Sequence, residues 1–308
     1  MKTIKAVAPY NHPGSLNFKR APYEAWVKLG GRTAKPHYPI RFLHGLAFRW
    51  ELPTCWKNKR EVRLRFVEPV SISFDTFPDY TRYEIIPIVW DCWPCYFEKT
   101  CQWLKKHHVR TAIFTSSQTA DRMKSRFPQM HIMYCPEGID TSLYQKGKIL
   151  QERTIDLLEY GRTTQNHDIP DSIHHVTTSL NNKSRLSNEQ LYAAMADAKI
   201  TYALPCTQTQ PDFAGDIETL TQRYWEAMLS RMVMVGHAPK ELTDLIGYNP
   251  VIDIDKEHSD EQIMDILAHI GDYQELVDKN RETALRLGDW TLRMRQVMAW
   301  LQECGYQL

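Results

Sequence analysis

The sequence predicts an α/β protein of two domains, each a parallel sheet flanked by helices. Three observations carry this. Apolar strand-like runs alternate with helical segments over residues 83–135 and again over 155–303, turn formers interrupt the series at 136–150, and 308 residues suffice for two ordinary domains.

Taken in order, the first element is a short strand at Ile4–Pro9, followed by the loop Tyr10-Asn11-His12-Pro13-Gly14-Ser15. A helix over Pro22–Leu29 closes at Gly30-Gly31, giving a β-loop-α start. Residues 32–80 hold many aromatic and basic side chains, and the stretch 41–60, with Arg41, Phe42, Trp50, Trp56 and Arg60, suits contact with a substrate first, then plain core packing, with nucleic-acid binding also open. Within that stretch, Val62–Val70 and Ser71–Phe74 alternate as strands do.

The pattern then sharpens. Glu84–Trp90 reads as a buried strand with a proline near its middle, Phe97–His108 as a helix, and Thr111–Thr115 as a strand. Ser117–Arg126 is a helix capped by Ser116 or Ser117, and His131–Cys135 a strand. The second series has strands at Ile155–Tyr160, His174–Thr178, Lys199–Leu204, Met232–Val235 and Val251–Ile254. Its helices are Ser187–Ala196, with Ser187 and Gln190 placed as a capping box, then Thr221–Ser230, Pro239–Ile246, Glu261–Ile270, Tyr273–Leu287 and Thr291–Glu303.

Composition excludes several classes. A net charge of +1 gives no basic excess for tracking nucleic acid. No apolar run reaches membrane-span length, and the N-terminal run is too short for a signal peptide. Seven irregularly spaced cysteines do not form a disulfide framework, so the expected setting is cytoplasmic. Peripheral contact with the inner membrane face stays open. Cys92-Trp93-Pro94-Cys95 has redox spacing, but it lies within a longer βα series. Zinc would need a second ligand pair of suitable spacing, and there is none.

The most informative segment is Gly215 to Met228, where Glu218 and Glu226 flank a loop-to-helix junction. Free amides and the dipole at such a helix start attract an anion. A diphosphate can dock there, with one carboxylate on the hydroxyls of a transferred sugar and the other on ribose. Taken alone, this spacing of two glutamates is common by chance.

Four stretches in order give it context. They are Tyr134-Cys135-Pro136-Glu137-Gly138-Ile139-Asp140, Leu158-Glu159-Tyr160-Gly161-Arg162, Leu186 through Pro205, and Glu218 through Gly236. Together they resemble the retaining GT-B glycosyltransferases that carry an E-x7-E motif, over residues 83–303. The resemblance implies two Rossmann-like domains facing a cleft: an acceptor domain over 1–141, a donor domain over 142–288, and a last helix over 289–308 that crosses back to the first domain. It implies a nucleotide-sugar donor, UDP- or GDP-linked, a carbohydrate or lipid-linked acceptor, retention at the anomeric carbon, and a place in polysaccharide biosynthesis. Arginine and amide donors suffice to carry the charge of a diphosphate, so no essential metal or other cofactor is expected.

The implied site residues follow from the matches. Glu218 and Asp91 are the catalytic candidates. Gly161, Arg162, His167, Thr219, Leu220, Thr221, Arg223 and Glu226 are the donor-side candidates, and Gly14 lines the cleft. Two positions depart from the family pattern. Thr219-Leu220-Thr221 stands where Phe-Gly is usual, and His167 stands where a lysine would pair with Arg162. The alternatives are an epimerase-like enzyme of the same fold and a non-catalytic or redox module using Cys92 and Cys95.

Overall fold

The computed structural model describes residues 1–9, 18–36, 52–54, 58–161, 172–178 and 186–308. The chain divides into two compact units: 1–138 with 212–217 and 290–308, and 139–211 with 218–289.

The first unit holds strands β1 (Lys2–Val7), β2 (Thr33–Ala34), β3 (Glu61–Val67), β4 (Glu84–Val89), β5 (Thr111–Phe114) and β6 (His131–Tyr134). Its helices include α1 (Arg20–Lys28), α2 (Pro94–Lys106) and α3 (Ser117–Arg126). The second unit holds strands β7 (Ile155–Glu159), β8 (His175–Thr177), β9 (Ala198–Ala203), β10 (Val233–Gly236) and β11 (Val251–Asp253). Its longer helices are α4 (Asn188–Asp197), α5 (Gln222–Leu229), α6 (Lys240–Ile246), α7 (Ser259–Ala268) and α8 (Gln274–Leu287). The chain then returns to the first unit with α9 (Trp290–Glu303) and β12 (Tyr306–Gln307).

In the first unit the strand order is β12-β1-β3-β4-β5-β6, with β2 also on β1. In the second it is β11-β10-β9-β7-β8. Every strand pairing among the described residues is parallel.

Alternation along each strand builds two apolar layers per sheet. In β3, Val62, Leu64 and Phe66 pack with Ile86 and Ile88 of β4 beneath Trp26 of α1 and Met294, Val297 and Leu301 of α9. The opposite face of the sheet, with Ile85, Val89, Ala112 and Phe114, is covered by Trp103 and Leu104 of α2 and Met123 of α3. Arginines alternate with the apolar residues of β3 and are also buried. Arg65 is paired with Asp79 at 2.9 Å, and Arg63 lies over the Tyr83 ring at 3.7 Å. Buried charge is tolerated here because each guanidinium finds an anion or an aromatic face.

In the second unit Leu158 and Met234 face Trp225, Met228 and Leu229 of α5. Leu157, Ile200, Tyr202, Val233 and Val235 face Ile263 and Ile266 of α7. Trp225 is fully buried. An indole of that size contributes on the order of 4 kcal/mol through apolar burial.

One expectation needs correction, and two short strands are added. Ser71–Phe74 is not a strand; Pro69–Ser71 forms a 3-10 turn and Ile72–Thr76 a short helix. The Asp75 carboxylate accepts from the Ser71 hydroxyl at 2.8 Å and from the Glu68 amide at 3.3 Å, and such local bonds compete with a ladder. The two-residue strands β2 and β12 escaped the sequence reading, since two residues carry no periodicity. No described helix is long and apolar enough to cross a membrane.

Candidate active site

In a sheet of the second unit's strand order, ligands bind beyond the carboxyl ends of the strands, at the point where the order reverses, here between β7 and β9. That edge collects most of the described candidates on the donor side. Beyond β7 come Tyr160 and Gly161, beyond β10 comes His237, and Glu218 to Thr221 lead into α5.

Glu218 pairs with His237, its Oε1 3.2 Å from the imidazole Nε2, and both remain partly exposed. His237 is carried at the strand end by Gly236. A Cβ on Gly236 would fall 2.0 Å from the Ala203 carbonyl, so the two strands approach this closely only with glycine there. The Tyr224 hydroxyl donates to the His237 carbonyl at 2.7 Å, tying α5 to the end of β10. His237 was missed in the sequence, where it is one histidine among twelve. Its position directly after a strand was the available signal.

The loop after Glu218 is held from behind. Glu241, in the first turn of α6, accepts from the Thr219 hydroxyl at 3.1 Å and from the Leu220 amide at 2.8 Å. Both bonds are buried, and the Leu220 side chain lies in the core. Thr219 and Leu220 therefore spend these groups inside the protein. Thr221 is the N-cap of α5 and makes no side-chain cap bond.

Glu226 sits one turn further along α5. Its Oε1 accepts from the Tyr144 hydroxyl at 3.1 Å, and it is also bonded to the Tyr160 hydroxyl. Burial pushes its carboxyl above the ordinary value, against the opposing pull of Tyr144, Arg223 and Tyr160. The residue keeps part of its surface exposed although the carboxyl group itself is largely desolvated. Tyr144 and Tyr160 in turn have phenols pushed upward by burial and by the nearby carboxylate, so both act as neutral donors.

Arg223 lies against Gly161 and Tyr160. A Cβ on Gly161 would meet Arg223 Nη2 at 2.3 Å, and Gly161 has φ +75°, so glycine serves both the backbone and the guanidinium. The Arg223 guanidinium is 5.5 Å from the Tyr160 ring centre. The structure thus gathers Gly161, Arg223 and Glu226 in one cluster and gives Glu218 a histidine partner. Gly14, Arg162 and His167 lie outside the described residues, as does most of the aromatic and basic stretch 41–60.

Asp91 belongs to the first unit, just past the carboxyl end of β4. It takes φ +45°, a left-handed conformation that aspartate tolerates better than most residues, and its carbonyl accepts from Trp93 at 2.8 Å. Next to it, Cys92 is buried and its thiol is pushed up to about 12 by desolvation. A reactive thiol needs the opposite shift, so the redox reading of Cys92 and Cys95 loses its support. No cluster of metal-ligating side chains occurs among the described residues.

Fold and site together define a class: a two-sheet α/β protein with charged and aromatic groups at the carboxyl edge of its second sheet. No protein-family model matches the chain, and no curated protein matches it either. Solved structures do. Anabaena Alr3699/HepE in complex with UDP and glucose aligns with a TM-score of 0.57 at 11% identity, over 98% of this chain and 100% of that one. AviGT4, a glycosyltransferase involved in avilamycin A biosynthesis, aligns with a TM-score of 0.55 at 12% identity, over 99% and 98%. TarM aligns with a TM-score of 0.52 at 10% identity, over 78% of this chain, which spans only 54% of the TarM chain. The shared fold is the two-domain, Rossmann-like GT-B type.

Proposed function

We propose that this protein is a glycosyltransferase that moves a sugar from a nucleotide-sugar donor to a carbohydrate or lipid-linked acceptor, with retention at the anomeric carbon. The observation that carries the reading is the cluster at the carboxyl edge of the second sheet, where Glu226, Arg223 and the Glu218–His237 pair surround the start of α5. The likeness in fold to a protein crystallised with UDP and glucose supports it.

Each group has a chemical task in this reading. The guanidinium of Arg223 and the first-turn amides of α5 offset the charge that grows on the departing diphosphate. Glu226 accepts from ribose hydroxyls; Tyr144 and Tyr160 hold its carboxylate in place. Glu218 binds hydroxyls of the transferred sugar and stabilises positive charge at the anomeric carbon, and His237 orients that carboxylate. Leu220 shapes the loop rather than reaching the donor. The resemblance further assigns Arg162 and His167 to the phosphates, Asp91 to catalysis near the reacting sugar and Gly14 to acceptor contact. The bond from the anomeric carbon to the diphosphate breaks, an acceptor oxygen takes its place, and the acceptor proton leaves on the released phosphate. No metal ion is needed when arginine and amides carry this charge.

The test is a thermal-shift screen against UDP, GDP and ADP and their sugars, followed by assay of nucleotide release with acceptor. A ligand at 100 times its dissociation constant stabilises by about 2.7 kcal/mol, roughly a 5–10 °C rise for units of this size. Arg223→Ala should abolish the shift, and Glu218→Gln should retain it while turnover collapses. A protein that shifts with none of the nucleotides, or whose turnover survives Glu218→Gln, would overturn the reading. Product formed from the nucleotide-sugar without any acceptor would indicate the epimerase-like alternative.

A further inference from the structure

We infer that the first unit carries a second ligand site, a basic pocket at the amino ends of its strands that takes a soluble oligophosphate. The pocket has a volume of about 900 Å³ and is lined by the starts of β1, β4 and β6 and by β12, together with the ends of α2 and α3. Parallel strands bring all their amino ends to one edge. Asp91 lies past the other end of β4, and a six-residue strand spans roughly 20 Å. The pocket is therefore separate from the carboxyl edge of its own sheet.

Its lining is strongly one-sided in charge. Lys59, Lys105, Arg110 and Arg126 all line it, and the histidines His108 and His131 join them. Among the described residues the only acidic one in the lining is Glu84, which is already bonded to Lys2. Arg126 has a loose partner in Glu98 at 3.8 Å, while Lys59, Lys105 and Arg110 form no ion pair among the described residues. A chain with net charge +1 has here gathered five permanent cations around one concavity, four of them besides the Lys2 that pairs with Glu84. Such a concavity focuses potential and selects a multiply charged anion.

Size and shape narrow the ligand. The volume sits at the upper end of the range for small-molecule pockets. Two arginines and two lysines match phosphate oxygens as bidentate and point-charge donors. A membrane surface is disfavoured: among the described residues, Met1 alone of the well-exposed large apolar side chains lines this face, and interfacial binding needs buried apolar area.

The probe is inorganic tripolyphosphate, titrated by calorimetry into the intact protein and into a Lys105→Glu/Arg110→Glu double variant. The site predicts saturable binding that weakens at least ~30-fold in the double variant while UDP binding stays within about twofold, since the two charge reversals at the pocket act on the phosphate locally. Equal tripolyphosphate binding in both proteins would overturn it. So would binding to vesicles of phosphatidylserine with none to tripolyphosphate, or binding to RNA alone. Should the double variant not fold, protection of Lys59 and Lys105 from acetylation by tripolyphosphate in the native protein, read by mass spectrometry, decides the matter; unchanged labelling overturns the site. The inference is independent of the donor site, because failure to bind UDP would leave this outcome untouched.

Discussion

At the scale of single residues, the proton of Glu226 ties the proposed donor site to stability. Its carboxyl is pushed above the ordinary 4.5 by burial, so the folded state holds the proton more tightly than the unfolded chain does. For a carboxyl shifted in that direction, the stabilising contribution is complete below about pH 4.5. It is lost as pH rises through the folded value, because ionisation is then easier in the unfolded chain. Glu226→Gln cannot ionise and escapes this loss. The stability of the variant relative to the native protein should thus rise with pH across that window and then level off. Denaturant melts at pH 4, 5, 6, 7 and 8 measure it, and a difference that is flat or falls with pH would contradict the desolvation argument. The same variant gives up a charged acceptor, so nucleotide affinity should drop roughly 10- to 100-fold. Both glutamates were visible in the sequence because their spacing occurs within an ordered set of neighbouring motifs. Tyr144 was not visible as a partner, because 82 residues separate it from Glu226 and only the fold brings them together.

At the scale of elements, the loop from Glu218 to Thr221 owes its shape to a helix that the sequence placed but gave no role. Glu241 opens α6 and takes two buried donors from that loop. Glu241→Ala would leave the Leu220 amide and Thr219 hydroxyl without their acceptor. A buried unsatisfied donor costs about 1–3 kcal/mol, so the variant should lose stability of that order in urea melts. Because Glu218 begins the same loop, turnover should fall more than nucleotide binding does. A variant with native stability and native turnover would show that the loop is held in some other way. Elements with strong local signals were legible: Ser187 and Gln190 do form a capping box, and Ser116 does cap α3. The helix over Ile72–Thr76 was not, because β-branched and aromatic residues in short alternation fit a strand until Asp75 recruits Ser71 and Glu68.

At the scale of the whole molecule, the order of strands and helices was legible from 83 onward because each βα repeat buries two faces of a sheet and must show it in composition. The assignment of 212–217 to the first unit was not legible, since the one-turn helix Pro211–Ala214 and the three residues after it carry no periodic signal. Among the described residues, each unit has its own pair of apolar layers. That separation has a measurable consequence for ligand binding. A nucleotide that binds only the folded second unit lowers the population of that unit's open states by mass action, and leaves the opening of the first unit's core unaltered where the two open separately. Hydrogen exchange with and without saturating UDP should therefore slow in β7, β9, β10 and the start of α5. The amides of β1, β3 and β4 in the sheet core should keep their rates. Slowing confined to the first unit would place the nucleotide elsewhere and remove the basis for assigning Glu226 and Arg223 to it. Equal slowing throughout both cores would instead show that the two units open as one cooperative body, despite their separate apolar layers.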